Sequence, residues 1–140
     1  MQVDLDSEAF KDKKFFFLRG HMRSGTNWVG NLLNLHPQIC CTGEYYFDFM
    51  KSELDRITGT SYSLLNRTKV RETAIRSFEE LVKACVLRGA QFDKTKTALW
   101  YGDRTPRPVE PILIQGAPHF LVIRDGRDIM VSWAYHLLRI

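Results

Sequence analysis

Apolar residues fall into blocks along this chain, and the blocks differ in period. Lys14-Phe15-Phe16-Phe17-Leu18-Arg19 is a short apolar run, rich in aromatics, that closes on Gly20. Such a run predicts a strand buried on both faces. From Thr26 to Leu35 the spacing becomes helical. Trp28, Val29, Leu32, Leu33 and Leu35 fall on one side, and His36-Pro37 ends the helix. Residues 37–68 show no period. With Gly43, Gly59 and many Ser and Thr they predict loops and at most one short helix. Val70 to Arg88 carries the strongest helical period, through Ala74, Ile75, Phe78, Leu81, Val82, Cys85 and Val86. Gly89 stands where a C-terminal cap belongs. Thr97 to Tyr101 reads as a second strand, stopped by Gly102-Asp103. Pro106, Pro108 and Pro111 leave room only for a short helix near Ile112 to Gln115. His119 to Ile123 is a third strand of the buried kind. Asp125 caps a helix running from about Arg127 to the end, with Asp128 in its first turn.

Strands alternating with helices predict an α/β fold with a parallel sheet, and 140 residues fit one domain over 1–140. The last helix reaches Ile140 in mid-pattern, without a cap or polar tail, so the domain reads as cut short at its C-terminus. Its Ile129, Met130, Trp133, Leu137 and Leu138 are then expected to leave an exposed apolar face.

Composition narrows the function only a little. A hydrophobic share of 44% and a charged share of 26% suit a globular domain and exclude a disordered or fibrous chain. A net charge of +4 suits anionic partners. No apolar stretch approaches the ~20 residues of a membrane span. Asp4, Asp6 and Glu8 stand where a secretory leader would be basic and then apolar, so a cytoplasmic location is expected. Cys40, Cys41 and Cys85 match neither a metal spacing nor a disulfide framework and read as reduced apolar thiols. The clustered basic face of a nucleic-acid module is lacking.

The chemistry concentrates at two strand-to-helix junctions. Gly20-His21-Met22-Arg23-Ser24-Gly25-Thr26-Asn27 resembles the phosphate loop G-x-x-x-x-G-K-[ST] in its glycine spacing. Thr26 replaces the lysine, Asn27 replaces the magnesium-binding hydroxyl, and a cation stands inside the loop at Arg23. Metal-dependent NTP hydrolysis is thereby disfavoured, while anion binding by backbone amides, Arg23, Ser24 and Thr26 is retained. The second junction is Arg124-Asp125-Gly126-Arg127-Asp128 followed by Ser132. Arg124 closes a strand at its carboxyl end, and an arginine with a hydroxyl makes a metal-free phosphate site.

In this order the two motifs resemble those of the sulfotransferases that use 3′-phosphoadenosine 5′-phosphosulfate (PAPS) as donor. Met22-Arg23-Ser24-Gly25-Thr26-Asn27-Trp28 is similar to that family's Pro-Lys/Arg-Ser-Gly-Thr-Thr-Trp, and Arg124 to Asp128 with Ser132 to its Arg-Asp-Pro-Arg-Asp with a helix serine. Gly43-Glu44-Tyr45-Tyr46-Phe47 resembles the Lys-Glu-x-x-Phe-Phe of the carbohydrate-type branch, and Asp103-Arg104-Thr105-Pro106 its Glu-Lys-Thr-Pro. The histidine base of the cytosolic branch is replaced by Pro106.

The resemblance implies a P-loop-like three-layer fold and metal-free sulfuryl transfer from PAPS to a hydroxyl or amine of a small-molecule or carbohydrate acceptor. It implies that Ser24, Gly25, Thr26 and Asn27 grip the 5′-phosphosulfate, with Arg23 neutralising the leaving side. It places Trp28 against adenine, although a core-filling role fits that residue equally. Arg124 and Ser132 would hold the 3′-phosphate, Glu44 would act as general base, and Arg104 would touch the transferring sulfuryl group. The family's usual length is about twice this chain's, and the remainder normally carries a basic loop over the nucleotide. The alternative is a nucleotide- or phosphate-binding domain without catalysis.

Overall fold

The computed structural model describes residues 11–93 and 97–138, so the acidic stretch 1–10 and the final two residues lie outside it. Strands β1 (Lys14–Gly20), β2 (Ile39–Thr42), β3 (Trp100–Arg104) and β4 (His119–Val122) form one sheet in the order β2-β3-β1-β4. Every pairing is parallel. Helices α1 (Thr26–Leu33), α2 (Phe47–Thr58), α3 (Thr68–Asp93) and α4 (Gly126–Leu138) complete an α/β fold.

Parallel neighbours require crossovers, and here these set the site. The chain leaves β1 through α1 and reaches β2, passing the place that β3 later fills. It returns to β3 by α2 and α3, then crosses to the far side of β1 as β4. Progress across the sheet therefore reverses at β1, and a ligand crevice is expected outside the carboxyl ends of β1 and β4.

Side-chain alternation separates two layers of packing. Phe15, Phe17, Cys40 and Tyr101 face α2 and α3, meeting Phe47, Phe78, Val82, Val86 and Ala90 in the main core. On the other face, α1 presses Gly30 towards the sheet. A Cβ at Gly30 would stand 2.8 Å from Arg104 Cδ and 3.4 Å from Cys41 Sγ.

Several sequence expectations need correction. Residues 37–68 hold β2, which their pattern does not announce, and α2, 12 residues long where only a short helix is expected. Cys40 and Cys41 are buried on opposite faces of a four-residue strand, which leaves no period to read. α2 buries only Phe47, Asp48 and Thr58 and carries Lys51–Asp55 and Glu53–Arg56 pairs on its surface. α1 stops at Leu33, and its expected apolar side does not enter the core: Leu32 and Leu35 are exposed and Trp28 is 67% exposed. Thr26 and Gly30 are buried instead.

β3 starts later than expected and runs through Gly102-Asp103, because the Phe16 ring fills the place of a Gly102 side chain. Residues 112–115 form bends and a turn rather than a helix. Leu113 and Ile114 enter the core from that turn, and His119 Nε2 accepts the Leu113 N–H at 3.2 Å. β4 is only half-buried, with Phe120 and Leu121 exposed on either face, since it pairs only with β1 among the described residues. Of the apolar face expected on α4, Met130, Leu137 and Leu138 are exposed, while Ile129 and Trp133 are half-buried. Among the described residues no helix is long and apolar enough to cross a membrane.

Gly89 is a packing glycine rather than a cap. α3 continues past it to Asp93, and a Cβ there would lie 1.7 Å from the Tyr45 hydroxyl. That hydroxyl is fixed by a 2.9 Å hydrogen bond to Thr42 Oγ1, while the Tyr45 ring stacks on Phe47 at 5.1 Å. Gly89→Ala gains roughly 1 kcal/mol of helix propensity but overpacks a pinned ring at a cost of roughly 1–3 kcal/mol. A net loss is expected in urea unfolding, partly relieved in a Tyr45→Phe background. Equal losses in both backgrounds would remove the Tyr45 hydroxyl as the cause.

Candidate active site

Beyond β1 the chain doubles back before α1 begins. Two loop residues lie in the left-handed region, Gly25 at φ 101 and Arg23 at φ 68. Glycine adopts this at little cost, whereas an arginine held there is strained by its surroundings. Gly20 makes the turn possible, because a Cβ on it would stand 2.5 Å from Ser24 Oγ.

Ser24 accordingly folds inward. It is buried, its N–H donates to the His21 carbonyl at 3.0 Å, and its Oγ has no hydrogen-bond partner. The α1 ladder opens with Val29 N–H on the Gly25 carbonyl at 3.0 Å, and no side chain caps this end. The amides of Gly25, Thr26 and Asn27 lie ahead of that bond, at the positive end of the helix. They suit an anion, whereas the Ser24 amide is already used.

The two junctions meet. Arg23, Gly25, Thr26, Asn27, Trp28, Glu44, Arg124 and Ser132 line one cleft of about 370 Å³. Arg23 Nε donates to Ser132 Oγ at 3.0 Å, and Arg124 Nη1 donates to the Arg23 carbonyl at 3.3 Å. Both arginines are exposed to the cleft, and Arg124 Nε stands 3.7 Å from Asp128 Oδ2. The α4 start is braced by its own residues. Asp125 Oδ1 accepts the Arg127 N–H at 2.8 Å and its carboxylate binds the Arg127 side chain, contacts that hold the Asp125 pKa below the ordinary carboxylate value. Trp28 lies on this cleft and is no core residue.

Arg104 and Ser24 are not among the cleft-lining residues. Arg104 sits on the α1 face of β3, where Nη1 donates to Asn31 Oδ1 at 3.0 Å and Gly30 leaves it room. Its neighbour Asp103 turns to the opposite face and is fully buried. There it stands 3.7 Å from Arg19 Nη1, with Thr105 Oγ1 donating to its carboxylate at 2.8 and 3.0 Å. Burial outweighs the neighbouring Arg19 and raises the Asp103 pKa to about 6. Burial likewise holds Arg19 below its ordinary pKa, and its three guanidinium nitrogens have no hydrogen-bond partner. Asp103 is therefore no spare base for the cleft. It is half of an internal ion pair beneath the loop.

Among the cleft residues without a role read from the sequence are Tyr46, Trp133 and His136. His136 follows Ser132 by four positions and Trp133 by three, so the helix stacks it beneath both. Periodicity assigned α4 an apolar face and took Trp133 as part of it. Tyr46 stands within the Glu-x-x-Phe segment, but only the turn into α2 aims it.

No family model matches the chain, and no curated protein matches it.

Proposed function

We propose that this chain binds a nucleotide carrying two phosphate groups and transfers a sulfuryl group from PAPS to a hydroxyl or amine of a small-molecule or carbohydrate acceptor. The observation that carries the reading is the Arg23–Ser132–Arg124 cluster beside the amides that open α1, all in one cleft. Two guanidinium groups, a hydroxyl and a helix N-terminus suit anionic oxygens at separate points.

The donor supplies an activated sulfuryl group on a bisphosphate leaving group. The chain's part is placement and charge. Arg23 and the Gly25–Asn27 amides hold the 5′ side and offset charge developing on the leaving oxygen. Arg23 acts only electrostatically, because a guanidinium keeps its proton. Arg124 and Ser132 hold the 3′-phosphate, Trp28 offers a ring face to the base, and Glu44 takes the acceptor's proton. Arg104, bonded to Asn31, favours a second reading in which the cleft binds nucleotide without transfer.

Calorimetry with adenosine 3′,5′-bisphosphate against AMP is the test. The sulfotransferase reading expects preference for the bisphosphate. Arg124→Ala should remove roughly 1.5–3 kcal/mol of bisphosphate binding and leave AMP binding nearly untouched. Equal losses on the two ligands would give Arg124 a structural role instead.

A further inference from the structure

The wall of the cleft that carries Glu44 also holds a nucleophile in contact with it. Tyr46 lies at φ 58, a conformation that a bulky aromatic residue adopts only when its surroundings impose it. The imposing contacts lie on both sides. Tyr45 is anchored against Gly89 of α3 and its N–H reaches Thr105 Oγ1 at 3.3 Å, while Phe47 is buried in the core. Gly43, at φ 148, lets the backbone pass so near β3 that a Cβ there would stand 2.4 Å from the Arg104 carbonyl.

Between these anchors Tyr46 faces the cleft, its ring stacked on Phe49 at 6.0 Å. Its hydroxyl donates to Glu44 Oε2 at 2.6 Å. That is the separation general-base catalysis requires between a hydroxyl nucleophile and its base. The phenol thus stands, relative to Glu44, where an acceptor hydroxyl has to stand.

Resting on the sulfuryl-transfer reading, we propose that Tyr46 is itself a sulfuryl acceptor, and that the chain sulfates this residue when PAPS occupies the cleft. Tyr46 Oη forms the new bond to sulfur, and its proton passes to Glu44 Oε2. The bond from sulfur to the bridging oxygen breaks, and adenosine 3′,5′-bisphosphate leaves with the electron pair. The products are tyrosine O-sulfate and a protonated Glu44 that returns its proton to water, and nothing is oxidised or reduced. The chain contains its own controls. Tyr62 and Tyr135 are more exposed than Tyr46, yet neither lines the cleft. Modification by proximity to the donor therefore favours Tyr46, and modification by exposure favours the other two.

The test incubates the full chain with PAPS and reads intact mass and a peptide map. One SO₃ group per chain is expected, on the peptide bearing Tyr46, and none in Tyr46→Phe. Glu44→Gln should slow the gain by roughly 10²–10⁴-fold. A second readout needs no donor. The hydrogen bond to Glu44 holds the Tyr46 phenol above its ordinary pKa, so ultraviolet titration of parent against Tyr46→Phe should find it high, and Glu44→Gln should bring it down. A phenol that titrates normally, SO₃ on Tyr62 or Tyr135 in equal measure, or an unmodified chain would each overturn the proposal. Calorimetry with the bisphosphate separates the causes. An unmodified chain that binds the bisphosphate loses only the Tyr46 step, and one that does not bind it loses the donor reading as well.

Discussion

Asp103→Ala is expected to lower the unfolding free energy by about 3–5 kcal/mol, the cost of leaving a buried charge without its partner. The stranded group is Arg19, which is fully buried and lacks a hydrogen bond on any guanidinium nitrogen. The native pair is itself poor, with its closest approach at 3.7 Å. Replacing both members by apolar residues, Arg19→Met with Asp103→Leu, should therefore restore stability to the parent level or above. Urea unfolding of the parent, the single variant and the double variant checks this. A double variant as weak as Asp103→Ala would mean that the pair organises the core rather than burdening it.

The same pair sets a pH dependence. The folded Asp103 pKa is raised to about 6, so the folded chain holds this proton more tightly than the unfolded chain does. The group's contribution is fully present below the unfolded carboxylate value and is lost as pH rises through about 6. Parent stability should carry this falling component, and Asp103→Asn should lack it. An unchanged pH profile in Asp103→Asn would assign the dependence to other groups.

Glu44→Gln is expected to reduce transfer to an added acceptor by roughly 10²–10⁴-fold. The substitution keeps the shape and the hydrogen bond from Tyr46 and removes only the basicity. Bisphosphate affinity should stay close to the parent value, since the proposed nucleotide contacts are Arg23, Arg124 and the α1 amides rather than Glu44. The measurement is bisphosphate release with a panel of phenol and sugar acceptors, paired with calorimetry. Retained turnover would eliminate Glu44. Asp103 could not take over, because it is buried on the other side of the sheet from Arg104 and away from the cleft.

The α/β class and the two strand-to-helix junctions were legible in the sequence because each rests on local rules. A buried strand shows as an apolar run, the tight loop after it as two glycines at fixed spacing, and a helix start as Asp125 with Asp128 one turn inside. Tertiary structure alone decided which of the chemical residues meet. Strand order placed β1 beside β4 and so brought Arg23 onto Ser132 across 109 positions. Side-chain alternation along β3 sent Asp103 to Arg19 and Arg104 to Asn31, although the two stand together in the motif. Gly89 looked like a helix end and proved to be the space for a ring from another segment. That ring, Tyr45, pins the turn that aims Tyr46 and Glu44 into the cleft. Local sequence carries backbone preference and period, whereas contact between distant segments is set by packing, which no single stretch of the chain encodes.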